Sequence, residues 1–204
     1  MINVLKKIAS IIKYIFYFLP VLPSVCAYAL NLCDKQRLNE DLEVNYKRLY
    51  LKDKKSNLVA LYKLMCDNKT FRNIFYYRSK PASLFFRFLL KENKTLYIYV
   101  DSLGGGIYIQ HGTSTIINAK SVGRNLFINQ NVTVGWRNES GNPVIGDNVR
   151  IGTGATVLGN ITIGDNVNIA AGAHVIRDIP SNCTVVPSPS VICRMNGQRT
   201  DIVL

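Results

Sequence analysis

"IGDNVRIGTGATVLGNITIGDNVNIAAGAHVIRDIP", residues 145–180, decides the fold. Ile145, Ile151, Val157, Ile163, Ile169 and Val175 follow one another at six-residue steps, and Val149, Ala155, Ile161, Val167, Ala173 and Ile179 stand four places after them. A helix repeats every 3.6 residues and a flat strand every two, so neither keeps a strict period of six. A short fixed period marks a solenoid in which each repeat supplies a short strand and a corner, its lead residue pointing inward and stacking on those of neighbouring coils. Gly, Asn and Asp gather just after the lead residue, where corners need left-handed backbone. The same step runs upstream through Val122, Ile128 and Val134. "GWRNESGNP" (135–143) interrupts it before Ile145, and reads as a loop projecting from an intact coil. Such loops are where a rigid scaffold places specificity.

Before about residue 95 the period is helical. Leu42, Tyr46, Leu49 and Tyr50 share one helix face after a cap at Asn39, and Leu58, Leu61, Tyr62 and Met65 share another after Ser56. "FRNIFYYR" (71–78) is aromatic and basic, and Pro81 opens a short helix, "PASLFFRFLL". Basic and aromatic residues together can bind single-stranded nucleic acid, but at helical spacing these aromatics serve packing, so no nucleic-acid partner is expected. The chain divides into an apolar basic segment (1–34), a helical domain (35–94), a solenoid (95–185) and a C-terminal tail (186–204), an α+β protein of 204 residues.

The formal net charge of +12 is unevenly placed: residues 1–94 hold 18 Lys/Arg against 7 Asp/Glu, and residues 95–204 hold 7 against 6. The first half is therefore suited to anionic lipid or phosphorylated partners. Between Lys13 and Asp34 lie 20 uncharged residues, enough for a bilayer span. Pro20 and Pro23 are expected to break such a helix, and a single span would carry the solenoid away from cytosolic cofactors. No small-x-small cleavage site follows cleanly, which argues against a signal peptide. Two readings stay open, a segment lying on the membrane or a helix buried against the protein or a neighbouring subunit. The odd set of Cys26, Cys33, Cys66, Cys183 and Cys193 has no C-x-x-C pair and reads as reduced thiols in a cytoplasmic protein, with no metal site.

One of only two histidines lies in "GIYIQHGTSTIINA" (106–119). His111 is either a general base or a hydrogen-bonded structural residue; imidazole, with an unperturbed pKa of about 6.5, suits the first task near neutrality. His174 ends "IAAGAH" at an outward position and reads as solvent-exposed.

The hexapeptides resemble those of the left-handed β-helix acyltransferases. The helical first half, "GGGIYIQHGTSTII", "INQNVTVG", the loop, the repeats and "VVPSPSVI" are similar in order to the serine acetyltransferase-like family. The resemblance, and not the period, implies a left-handed parallel β-helix. It also implies a homotrimer, acetyl-CoA bound between neighbouring β-helices, direct transfer to a hydroxyl, and His111 as catalytic base with an oxyanion donor near the Gly135 N–H. By the same resemblance the coenzyme's pantetheine arm passes Gly135, Thr153, Gly154 and Ala171, and Arg177 meets its phosphates. The chain departs from the family at Gln110, where an Asp precedes the His, and at Gly141 and Asn142, where an Arg-His pair is usual. The position of the acidic partner falls on Leu96, with Asp101 and Glu92 as substitutes at the wrong spacing. A zwitterion such as serine would lose its matching charges. The expectation is therefore a neutral sugar hydroxyl of a surface polysaccharide or glycan precursor, held by Gln110, Asn131 and Asn142. Serine acetylation is the alternative, and a non-catalytic scaffold the third reading.

Overall fold

The computed structural model describes residues 2–138 and 141–203, so Glu139 and Ser140 of the 135–143 loop lie outside the described residues. Four helices, α1 (Ile2–Ala29), α2 (Lys35–Tyr50), α3 (Asn57–Asp67) and α4 (Lys69–Arg78), precede a 3₁₀ turn at Ala82–Phe85 and a run of short parallel strands.

The strands wind a three-faced solenoid. On the first face β1 (Leu96–Leu103) lies under β3 (Thr115–Val122), followed by β5 (Thr133–Gly135), β8 (Thr156–Leu158) and β11 (His174–Val175). On the second, the end of β3 pairs with β6 (Val144–Ile145), then β9 (Thr162–Ile163), and a bridge to Ile179 closes it. On the third, β2 (Tyr108–Ile109), β4 (Phe127–Ile128), β7 (Arg150–Ile151), β10 (Asn168–Ile169) and β12 (Thr184–Val185) stack in that order. The six-residue step is one face, so three repeats make a coil. The registers gather inward aliphatic residues, the lead residues among them, into columns: Ile117, Val134, Val157 and Val175; Val122, Ile145, Ile163 and Ile179; Ile109, Ile128, Ile151, Ile169 and Val185.

The recurring "GDN" is the chemistry of one corner. Asn125, Asn148, Asn166 and Asn182 all take left-handed φ, and their amides form a ladder of hydrogen bonds at 2.9, 3.1 and 2.9 Å. The preceding Asp147 and Asp165 accept from the backbone N–H of Arg124 and Asp147 in the coil before, each at 2.7 Å. Gly146 leaves room for that approach, since a Cβ there would lie 2.3 Å from Asp165 Oδ1. Short polar side chains tolerate left-handed backbone and satisfy the corner's donors, which is why Asn and Asp recur.

The helices close one end of the solenoid. Ile74 of α4 belongs to the solenoid core, and Tyr77 packs against it. Asp41 and Arg78 form a buried pair with side chains 0% and 1% exposed. Arg78 also donates to the carbonyls of Leu103, at 2.6 Å, and Gly104, while Asp41 accepts from the Ile107 N–H at 2.8 Å.

Two sequence expectations are corrected. The helix α1 runs unbroken through Pro20 and Pro23. The carbonyls these prolines leave without donors belong to Phe16 and Leu19 on the exposed side, while Val21 and Ser24 are fully buried on the other. The N-cap of α2 is Asp34, which accepts from the Arg37 N–H at 3.3 Å; Asn39 instead accepts from the Tyr28 hydroxyl and Asn57 amide. The C-terminal stretch is a hairpin, β13 (Val191–Met195) and β14 (Gln198–Val203), turned by Asn196 and Gly197 with φ of 52° and 83°.

Asp67 at the end of α3 ties down α1. It accepts from Lys13, from Tyr14 at 2.8 Å and from Tyr50 at 2.5 Å. Burial alone would raise its pKa, but these donors outweigh that and hold the carboxyl below its ordinary value. A depressed carboxylate stabilises the fold above its unfolded pKa, and that contribution is lost as pH falls through the folded value. Thermal stability is therefore expected to decline on acidification below about pH 4. In Asp67→Asn that part of the decline should vanish; an unchanged profile removes Asp67 from the acid response.

Candidate active site

His111 sits on a local irregularity. In three coils the inward isoleucine closing the third face is followed three residues later by a left-handed residue: Ile128 by Asn131 (φ 58°), Ile151 by Gly154 (φ 70°), Ile169 by Gly172 (φ 70°). Their N–H groups bond down the corner, Asn131 to Thr113 O, Gly154 to Gln130 O and Gly172 to Thr153 O. The same bonding pattern puts Ser114 (φ 49°) beneath Asn131, five residues after Ile109. His111 and Gly112 are thus two extra residues, pushed outward as a bulge with φ of 64° and 62°. A histidine with positive φ is uncommon and persists only where the surroundings enforce it.

The helical half enforces it. Thr70 Oγ1 of α4 and Asn93 Nδ2 donate to the His111 carbonyl at 3.2 and 3.3 Å, and Gly112 N–H donates to the Gln110 carbonyl at 2.8 Å. A Cβ on Gly112 would lie 3.1 Å from both Ile109 Cγ2 and Thr70 Cγ2. Gly112→Ala therefore combines left-handed strain with crowding under the bulge. It should cost about 1–2 kcal/mol in a denaturation midpoint and lower any His111-dependent activity; a neutral substitution would show that the bulge is not held as described.

The imidazole is exposed, and among the described residues no side chain hydrogen-bonds to it. Leu96 is buried, Glu92 is engaged by Arg87, and Asp101 is exposed on β1. Neither suggested acidic substitute makes a hydrogen bond to His111.

The predicted site residues do not converge in one place. Gln110, Asn131, Thr153, Gly154 and Ala171 share the His111 corner, on successive coils. Gly135, Asn142 and Arg177 lie at the opposite edge of the first face: Gly135 accepts from the Gly159 N–H, the Pro143 carbonyl accepts from Lys120 N–H, and Arg177 follows the strand paired with β8. Gln110 is half-buried, its Oε1 accepting from Asn129 at 3.4 Å. His174 is exposed as expected, its Nδ1 against Thr156 Oγ1.

Gln130, missed in the sequence, is informative. It occupies the column of Thr113, Thr153 and Ala171 beside His111, and its buried Oε1 has no partner among the described residues. At the other edge the buried Asn142 Oδ1 also has none among the described residues. A buried acceptor without a donor is destabilising, so each invites a donor from a ligand. A large amide in a corner column of small residues was the available signal. Gly135, Gly154 and Gly172 meet nothing within 4 Å where a side chain would stand, which leaves their backbone open to an extended ligand. The amide N–H groups of a pantetheine arm fit these features.

Short parallel strands and inward aliphatic columns at six-residue steps define a hexapeptide-repeat solenoid. The model of that family, "Bacterial transferase hexapeptide (six repeats)", matches residues 142–177. A serine acetyltransferase of Synechococcus elongatus is 47% identical over 103 residues, 48% of this chain and 42% of that protein. That of Staphylococcus epidermidis is 34% identical over 149 residues, 71% of this chain and 68% of the relative. The crystal structure of the Neisseria gonorrhoeae serine acetyltransferase in complex with serine superposes with a TM-score of 0.54 at 27% identity, covering 76% of this chain and 66% of that one. The chain belongs to the serine acetyltransferase family. Its alignment spans less than half the length of the Synechococcus relative.

Proposed function

We propose that the protein transfers an acetyl group from acetyl-CoA to an acceptor hydroxyl at His111, with serine as the acceptor. The observation that carries the chemistry is the outward two-residue bulge, which presents an exposed imidazole at the corner where the backbone of Gly154 and Gly172 lies open. Neutral imidazole takes the hydroxyl proton as that oxygen attacks the thioester carbonyl. The tetrahedral oxyanion is met by a backbone N–H at the Gly135 edge of a neighbouring copy. Collapse breaks the carbon–sulfur bond, and the imidazolium returns its proton to the departing thiolate. No acyl-enzyme is needed. Serine is supported by the relatives, whose names carry it. A homotrimer suits the division of the site, because a second copy laid along the first face would bring its Gly135 edge to a neighbour's His111 corner.

A second reading, acetylation of a neutral sugar hydroxyl, is favoured by one observation: Gln110, not a carboxylate, stands beside His111, and no acidic side chain hydrogen-bonds to the imidazole among the described residues. Incubating the protein with acetyl-CoA and either serine or a panel of sugars, with products identified by mass spectrometry, separates the two. O-acetylserine as the dominant product supports the proposal. Acetylated sugar with serine untouched replaces serine by the second reading, and no coenzyme turnover with any acceptor removes both.

A further inference from the structure

The helix α1 is 28 residues long, about 42 Å, and its most apolar stretch is only 11% buried. Leu5, Ile8, Ile12, Ile15, Leu19 and Leu22 follow one another at alternating steps of three and four, and all are exposed; Ile15, Phe16 and Leu19 are 70%, 75% and 73% exposed. That spacing alone would describe a seam for one partner helix. The bare surface is wider. Ile11, Phe16 and Phe18 flank the seam and are also exposed, extending the apolar arc to about 160° at 100° per residue. In a helix pair these flanks carry charge. An arc this broad, free of charge, suits a surrounding apolar medium better than one narrow partner.

The charges lie elsewhere on the helix. Lys6, Lys7 and Lys13 fall outside the arc, and Lys13 is paired with Asp67. The opposite face is fixed to the protein: Val21, Ala27 and Tyr28 are buried in the helical core, and the Tyr62 hydroxyl donates to the Tyr14 carbonyl. A helix held from Lys13 to Tyr28 against a water-facing body, with an ion pair at Lys13, lies flat and does not cross, and its first turns extend the exposed surface beyond that body. An apolar groove of about 320 Å³ between α1 and α3 continues the arc, lined by Phe18, Leu22, Val25, Leu58 and Val59 with Lys63 among them. The surrounding half carries 18 Lys/Arg against 7 Asp/Glu.

We infer that the outer face of α1 docks the protein onto an anionic bilayer, the apolar arc in the interfacial layer and the basic helical half against the headgroups. The inference does not depend on the catalytic reading. The inner face of the cytoplasmic membrane, with its anionic lipid, fits the charge.

The full chain is tested by co-sedimentation with vesicles of phosphatidylcholine alone and of phosphatidylcholine mixed with phosphatidylglycerol. Preferential binding to the mixed vesicles, weakened by salt, is expected. The triple variant Ile12→Ser, Ile15→Ser, Leu19→Ser should lose at least about tenfold in partitioning, and Lys6→Gln with Lys7→Gln should lose binding only to the anionic vesicles. The substituted side chains are exposed, and circular dichroism checks that both variants keep the fold. A full chain that stays in the supernatant at low salt overturns the inference, as does a triple variant that binds equally well. So does a triple variant whose only change is a smaller mass in solution, which would assign the arc to a second copy.

Discussion

His111→Asn is expected to lower kcat for acetyl transfer by about three orders of magnitude, measured by release of the coenzyme thiol. Asparagine is the instructive replacement. Residue 111 has φ of 64°, which asparagine tolerates better than alanine, so the bulge is kept while the base is removed. The backbone carbonyl of residue 111 still accepts from Thr70 and Asn93, and the thermal midpoint should scarcely move. Full activity in a folded His111→Asn chain would sink the catalytic reading and leave a scaffold or a different base. The variant's own melting curve separates loss of the base, with the midpoint kept, from loss of the fold, with the midpoint lowered.

Asp41→Ala is expected to have the largest effect on stability, about 3–5 kcal/mol in chemical denaturation, because it leaves the buried Arg78 guanidinium without its counter-charge. Removing Asp41 also strips the acceptor from the Ile107 N–H. The damage is local to the junction of α2, α4 and the first coil. Arg78 keeps its bonds to the Leu103 and Gly104 carbonyls, but these do not neutralise it. Replacing both residues with apolar side chains should recover much of the loss, since the penalty lies mostly in the orphaned charge. A single-variant loss below about 1 kcal/mol would show that solvent reaches the pair.

The solenoid was legible because it is written in a local code. Ile151 and Ile169 meet across one coil because they are three repeats apart, and Asn148 and Asn166 share a corner for the same reason. The junction was not legible. Asp41 and Ile107 are 66 residues apart, and nothing in a single helix pattern announces that its buried acid will receive a solenoid N–H. At the site, His111 could be picked out as a rare residue in a strand-like run, but the bulge emerges only when Ile109–Ser114 is counted against Ile128–Asn131. That Asn142 and Arg177 sit at the opposite edge of the first face from His111 was not legible either, because resemblance transfers residue types, and not which edge of a face they occupy. The unbroken α1 shows the limit of a local rule: two prolines remove two donors, and packing of Val21, Ala27 and Tyr28 in the helical core outweighs them.

The counting at that corner also bears on how such a protein acquires and loses its chemistry. Without residues 111 and 112, Ile109-Gln110-Thr113-Ser114 repeats the spacing of Ile128-Asn129-Gln130-Asn131. The histidine is thus an insertion that the winding of the coils does not require, held in place from a separate part of the chain by Thr70 and Asn93. Architecture and reactivity are inherited on different terms here. Deleting two codons would leave a sound spool, and retaining them leaves the exposed positions beside the bulge, such as Gln110, open to change without disturbing the thread wound beneath.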